Sequence, residues 1–517
     1  MKFNVRRKAN IPALNHEGGE AFTLDARMEL YSAVVTTSLN NKFYESSDRR
    51  VDRIRKLVRD NDPAFVAKLA VYARNFMNMR SVPLVLAVEL AKLQSESGNR
   101  VVRNAVRGAV QRADEITELL AYYQLANKRT GIKKLNKLSR QLQHGLADAF
   151  NTFDEYQLAK YDRAGAIRLR DALFLVHPKP VSPEQQAIFN KLAGNTLAVP
   201  YTWETELSAL GQQSFKSAEA KAHAFRSKWE ELVTSGKLGY MALLRNLRNI
   251  LEAGVSYEVL DNVCSQLADA SAVAKSKQLP FRFLSAYREL KALKLGTVPQ
   301  VLEALEGAVQ ASARNIRGFG NEASVVIACD VSGSMQQPVS PKSKVLLYDV
   351  GLMLGMLLQS RCAVVETGMF GDTWKQIAVS RKNILGSVQE FYSREGEVGY
   401  STNGYLVIRD LIDRRKVIDK VMMFTDCQLW NSSSYSHDTI SSLWKQYRTI
   451  APKAKLYLFD LAGHGQTPVA LQQDGVHLIA GWSDKIFDVL AALEGGHNAL
   501  SAIENIPIED DKFGVYL

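Results

Sequence analysis

The apolar pattern changes character near residue 318, and no other feature restricts the fold as strongly. Before that point the chain reads as one helix after another. In the segment DPAFVAKLAVYARNFMNM, Asp62 is placed to cap, Pro63 suits a first helical turn, and Phe65, Leu69, Tyr72 and Phe76 fall on one face. A second helix begins near Pro83, buries Leu86, Leu90 and Leu93, and is closed by Gly98 and Asn99 before a third begins. Short turns between such helices imply antiparallel neighbours, and a long series of them implies a HEAT-like solenoid, although no strict repeat is present.

After Phe319 short β-branched or apolar runs alternate with helical stretches. Strands are expected at 324–328, 363–367, 421–425, 455–459 and 476–479, and helices at 343–359, 405–413, 440–447 and 485–493. This alternation predicts a mostly parallel sheet with helices on both faces, which binds ligands at the carboxyl ends of its strands. The expected architecture is therefore multi-domain: an all-α, HEAT-like repeat domain over 1–318, then an α/β domain of Rossmann type over 319–517. A length of 517 residues agrees, since single cores rarely grow past roughly 300.

Charge divides at the same place. From 319 to 517 there are 18 Lys and Arg against 22 Asp and Glu, and before it 47 against 32, so the net charge of +11 comes wholly from the helical part. Such asymmetry points to a polyanion-binding half joined to a near-neutral half, without telling RNA from DNA or from an acidic protein. No run of about 18 uncharged apolar residues is present, and the first residues lack the apolar core of a secretory signal, so a cytoplasmic protein without membrane association is expected. Cys264, Cys329, Cys362 and Cys427 are scattered without ligand or redox spacing and are expected to be reduced.

Just past the first expected strand comes VVIACDVSGSM, which sets Asp330, Ser332 and Ser334 on alternate residues of a Gly-containing turn. One carboxylate and two hydroxyls so spaced can converge on a hard cation, which takes oxygen ligands. Asp and Ser also cap turns, which is the competing reading. Against it, Thr402 in GYSTNG and Asp426 after VMMFT fall at matching places, so that all five would meet at one sheet edge. No His accompanies the serines as a base, no second carboxylate cluster suggests a two-metal nuclease, and no Gly-Lys-Ser phosphate loop is present, so a binding role is preferred to an enzymatic one. The five-residue set resembles the metal-ion-dependent adhesion site of von Willebrand A domains. That resemblance implies Mg²⁺ held directly or through water, with an acidic group from a partner completing the shell.

A helical array joined to an A-like domain resembles the Ro autoantigen (TROVE) family. Three stretches carry the likeness: AKYDRAGAIRLRDALFLVHPKP, GYMALLRNLRNI, and the metal loop with GYSTNG and FTD. The resemblance implies that the helical repeats close into a ring whose basic surfaces bind small noncoding Y RNAs and the single-stranded ends of misfolded RNAs. It also implies a part in RNA quality control, and an exoribonuclease such as polynucleotide phosphorylase as a partner. Carried over by position, Lys160 and His177 fall on the places implicated in Y RNA binding; where relatives set a second basic residue four after the lysine, this chain has Ala164, with Arg163 beside it. Arg170 and Lys179 lie in the same motif, and Lys133 and Lys134 stand in a nearby basic cluster. Arg100, Arg103 and Arg107 share a helical face that either tracks phosphates or is simply solvated. Arg245, in the second motif, either faces the ring's hole or caps a neighbouring helix. The competing function is a metal-dependent protein-interaction adaptor with no specific RNA binding.

Overall fold

A computed structural model describes residues 10–37, 49–93, 100–127, 138–316, 323–339, 343–432 and 437–508. Lys133 and Lys134 lie outside them. Among the described residues, helices follow one another from Ala26–Val35 to Val298–Ser312, and the remainder is a mixed α/β domain. The strands, in chain order, are β1 (Pro12–Leu14), β2 (Glu20–Thr23), β3 (Ser324–Asp330), β4 (Val364–Phe370), β5 (Trp374–Gln376), β6 (Lys420–Thr425), β7 (Lys455–Asp460), β8 (Gln466–Thr467) and β9 (Val476–Ala480). No helix of the described residues is long and apolar enough to cross a membrane.

The helical starts follow local chemistry. Asp62 accepts from the Phe65 amide at 3.1 Å and Pro63 occupies the first turn of Pro63–Asn75, whose Phe65, Leu69 and Tyr72 are buried. Phe76, expected on the same buried face, is instead half exposed, because the helix has ended and the ring stacks on Tyr72 at 5.3 Å. The next helices run Ser81–Leu93 and Val101–Ala109. Arg103 bonds Asp148 at 2.6 Å and Arg107 approaches it at 3.7 Å, so two members of the expected arginine stripe hold a neighbouring helix.

By packing, the chain forms two compact units: one of residues 1–8, 24–200 and 500–517, the other of 9–23 and 201–499. These bounds do not follow the change of texture at 318. Two features explain the difference. Within the first unit, Lys68 donates to the Glu504 carbonyl at 2.6 Å and Asn104 to that of Ile508 at 2.8 Å, tying the last described segment to early helices. Within the second, β1 and β2 pair antiparallel with each other and then with β8, while Asn15 donates to the Leu429 carbonyl at 2.9 Å.

The larger sheet of the second unit has the order β5-β4-β3-β6-β7-β9, parallel except for edge strand β5. All five expected strands are present. The near-continuous burial of β3, β6 and β7 fits a sheet covered on both faces. The helix expected from 343 begins only at Leu347, because the residues before it pair with an earlier segment: the Val339 amide bonds the Val345 carbonyl, the Leu347 amide that of Gln337, and Pro338 bridges Leu346. Helices of the second unit also cap one another across long sequence separations. Glu306 accepts from the Ile384 and Leu385 amides at 2.5 and 2.9 Å, and Arg288 donates to Asp349 at 2.7 Å, the carboxylate that caps Leu347–Gln359.

Candidate metal centre and nucleic-acid surface

Parallel pairing of β3 with β6 in register brings their carboxyl ends together, so Asp330 and Asp426 meet at one edge. The loop after β3 is tightened by the Ser332 amide, which donates to Asp330 Oδ1 at 2.9 Å, and the Ser332 and Ser334 hydroxyls stand 3.2 Å apart. Thr425 donates to Asp330 Oδ2 at 2.7 Å. The Thr402 loop joins them because the Gly333 amide donates to the Tyr400 carbonyl at 2.9 Å and the Trp430 amide to that of Thr402 at 3.3 Å. Close backbone passage holds that loop at the end of β4: a Cβ on Gly371 would lie 2.1 Å from the Gly399 carbonyl oxygen. All five residues expected at a metal site thus share one end of the sheet.

The electrostatics of this edge are unbalanced. Asp330 is fully buried, and burial, with Asp426 beside it, pushes its carboxyl well above the usual carboxylate range. The Thr402 hydroxyl is buried with no hydrogen-bond partner. A buried hydroxyl without a partner, at the sheet end that carries two carboxylates, fits the oxygen-donor set of a hard cation. Among the described residues no group of three or more His, Cys, Asp or Glu side chains could hold a metal, which leaves a set of two carboxylates and three hydroxyls. Such a set suits a hard ion that keeps waters and an open position, such as Mg²⁺, better than a thiolate- or imidazole-seeking one.

The motif residues of the helical part lie in the first unit. Lys160 lies in the last turn of the helix Glu155–Tyr161 with its ammonium 5.5 Å from the Tyr156 ring and 5.7 Å from that of Tyr161, which Arg112 covers at 4.4 Å. Arg163 is exposed in the following turn. Arg170 lies over Phe174 at 5.7 Å; Tyr156 and Phe174 are 44% and 51% exposed, enough to offer ring faces to a ligand. His177 is exposed and ends Leu169–Val176 in the left-handed conformation, φ 49°, its amide donating to the Leu173 carbonyl. Lys179 is exposed two residues on. Nearby Arg168 and Lys191 are tied to Asp162 and Glu155 at 3.4 and 2.6 Å, but among the described residues no carboxylate pairs with Lys160, Arg163, Arg170, His177 or Lys179.

Arg245 belongs to the second unit. It is exposed on Tyr240–Glu252, between buried Leu244 and Asn246, close enough to Arg282 that the two charges oppose each other. Arg248 of the same helix pairs with Glu252 at 2.9 Å. Residue patterns had not singled out Tyr156 or Phe174, whose only signal was an aromatic four residues from a basic side chain in each helix.

Comparison with known proteins agrees with this architecture. Models of the TROVE domain match residues 29–224 and 190–301, and a model of the Ro60 vWA domain matches 324–493. Telomerase protein component 1 of Rattus norvegicus is 24% identical over 348 residues, covering 52% of this chain and 13% of that protein. The Mus musculus protein of the same name is 24% identical over 311 residues, or 45% and 11%. The chain thus spans only about an eighth of the length of these relatives. The crystal structure of the Deinococcus radiodurans Ro (RSR) protein matches with a TM-score of 0.56 and 17% identity over 91% of this chain and all of that one, a likeness of fold. The matches define a two-part class, a TROVE helical domain followed by a Ro-type von Willebrand A domain. Within that class, the chain belongs to the Ro autoantigen family, whose members are RNA-binding ribonucleoprotein components rather than enzymes.

Proposed function

We propose that the protein holds a small structured noncoding RNA of the Y RNA kind on the surface around Lys160, Arg163, Arg170, His177 and Lys179, and serves noncoding RNA quality control. The observation that carries this reading is the set of cations without carboxylate partners laid beside exposed Tyr156 and Phe174. Cations neutralise phosphates, while ring faces and the imidazole take unpaired bases or a 2′-hydroxyl. Ends of misfolded RNA would be further ligands, Arg245 a contact to them, and an exoribonuclease such as polynucleotide phosphorylase a partner.

The second part of the reading concerns the sheet edge. Asp330, Ser332, Ser334, Thr402 and Asp426 would hold Mg²⁺, directly or through water. The ion would supply a positive centre able to accept an acidic group from a partner. The chain's own residues orient that centre: Thr425 fixes one Asp330 oxygen, the Ser332 amide the other, and the buried Thr402 hydroxyl is left to face the ion.

The test is binding of purified protein to a structured small RNA, to RNA with a single-stranded 3′ end and to duplex DNA across a salt series, with Lys160→Ala and His177→Ala alongside. Tight, salt-sensitive RNA binding weakened by both changes is expected. Weak binding to all three, unchanged in the variants, would replace this reading with that of a metal-dependent adaptor.

A further inference from the structure

Sharing no residue with either site, an open depression in the second unit has a volume of about 440 Å³ and is lined by Arg288, Lys291, Ala292, Lys344, Gln389 and Tyr392. Its volume falls within the roughly 300–1,000 Å³ of small-molecule clefts. Three of its six lining residues are cations and none is acidic. Its wall is built on aromatic packing. Tyr348, fully buried, stacks on Tyr392 with ring centres 5.7 Å apart and planes at 16°, and the Arg288 guanidinium lies over Tyr392 at 4.5 Å.

The plane of that guanidinium is fixed from its edge, by a 2.7 Å bond to Asp349 and a 3.4 Å bond to Gln389 Oε1. Arg288 and Tyr392 both line the depression, so guanidinium and ring together offer a wall to a flat group there. Asp349 neutralises Arg288, so the charge available to a ligand comes from the two lysines. Lys291 has no carboxylate partner among the described residues; Lys344, 91% exposed, is held only by an exposed contact to Glu289 at 3.4 Å. Exposed pairs of this kind are weak and yield readily to a better anion.

We propose that this depression is a mononucleotide site, the base packing on the wall made by Tyr392 and Arg288 and the phosphate lying between Lys291 and Lys344. A carboxylate would satisfy the lysines but leave the wall of Tyr392 and Arg288 unused, and an aromatic without charge would leave the lysines unused. Guanidinium planes accept bases, and ammonium groups accept phosphates, so one nucleotide uses the whole wall. The nucleotide is either free or the phosphorylated terminus of an RNA, and the experiment separates the two. The site shares no residue with the RNA surface or the metal centre.

The test is calorimetric titration of the full chain with AMP, ribose 5-phosphate and pyrophosphate, repeated on the Lys291→Gln/Lys344→Gln double variant and on Lys160→Ala. Both lysines are exposed, so the double variant keeps its fold, checked by circular dichroism. Saturable AMP binding is expected, weakened at least about tenfold in the double variant by loss of two charge-assisted contacts, at least about tenfold weaker for the two base-free probes, and unchanged in Lys160→Ala. The last arm separates this site from the RNA surface. No AMP saturation at millimolar concentration, equal binding of ribose 5-phosphate or pyrophosphate, or an unaffected double variant would each overturn the proposal. Displacement of labelled AMP by a 5′-phosphorylated oligonucleotide and not by its 5′-hydroxyl form supports it with an RNA end as the source; displacement by neither supports it with the free nucleotide.

Discussion

Single residues carry the recognition chemistry. His177 sits at φ 49°, a conformation that costs most residues energy and that Gly or Asn adopts readily. His177→Asn should therefore keep or slightly raise the melting temperature while weakening RNA binding, which separates a contact from a structural role. Lys160→Ala should lower the slope of log affinity against log salt by about 0.7 to 0.9, one phosphate contact's worth. At the sheet edge, Mg²⁺ at a hundredfold excess over its Kd should stabilise the protein by about 2.7 kcal/mol, and Asp330→Asn should abolish the thermal shift.

Glu118 makes a prediction of a different kind. Burial raises its carboxyl from 4.5 to about 7 despite the 2.5 Å bond from Arg80, and its second oxygen has no hydrogen-bond partner, so a proton has a place there. Between those values the folded chain holds a proton that the unfolded chain has released, so stability should fall as pH rises from about 4.5 to 7. Denaturant titrations at both ends of that window should show Glu118→Gln gaining on the native sequence by at most about 3 kcal/mol. The convergence of Asp330, Thr402 and Asp426 on one sheet end was legible from spacing, because a turn, a loop before a helix and a strand end announce themselves locally. His177 and Lys160 were legible only through the family motif, and the exposed faces of Tyr156 and Phe174 required the packed structure.

At the scale of elements, alternating runs identified the central strands because β3, β6 and β7 are apolar along their whole length. Strand β5 escaped because three residues with one large apolar side chain carry no period. The helix Ile384–Arg394 was missed although Ile384, Leu385, Val388 and Phe391 have helical spacing and are buried. Its start depends partly on Glu306, far off in sequence, which no local pattern discloses. Replacing that carboxylate tests the cap: Glu306→Ala should cost about 2 kcal/mol and Glu306→Gln about 1, read by urea denaturation. A larger loss in the glutamine variant than in the alanine one would remove the capping role.

For the whole molecule, texture and charge both change near 318, yet the compact units draw on both ends of the chain. Those long-range joins rest on strand pairing and single hydrogen bonds, which leave no mark in composition. In the first unit, Ile503 and Ile508 are fully buried, and Glu504 bonds Arg27 at 3.1 Å. Removing residues 500–517 should therefore destabilise that unit by about 3–6 kcal/mol, the worth of two buried isoleucines, and open its helices to limited proteolysis. An unchanged cleavage pattern would show the segment to be dispensable.

The same joins set an order of manufacture. Asn10 bonds the Leu471 carbonyl 461 positions later, and β2 pairs with β8. At roughly 5–20 residues per second, the edge of β2 that β8 will cover stays unpaired for roughly 20–90 s. Early helices likewise fold before the segment that straps them has been made. A nascent chain stalled between β3 and β8 would thus expose two open strand edges at once, and that is the stage at which a chaperone has most to protect.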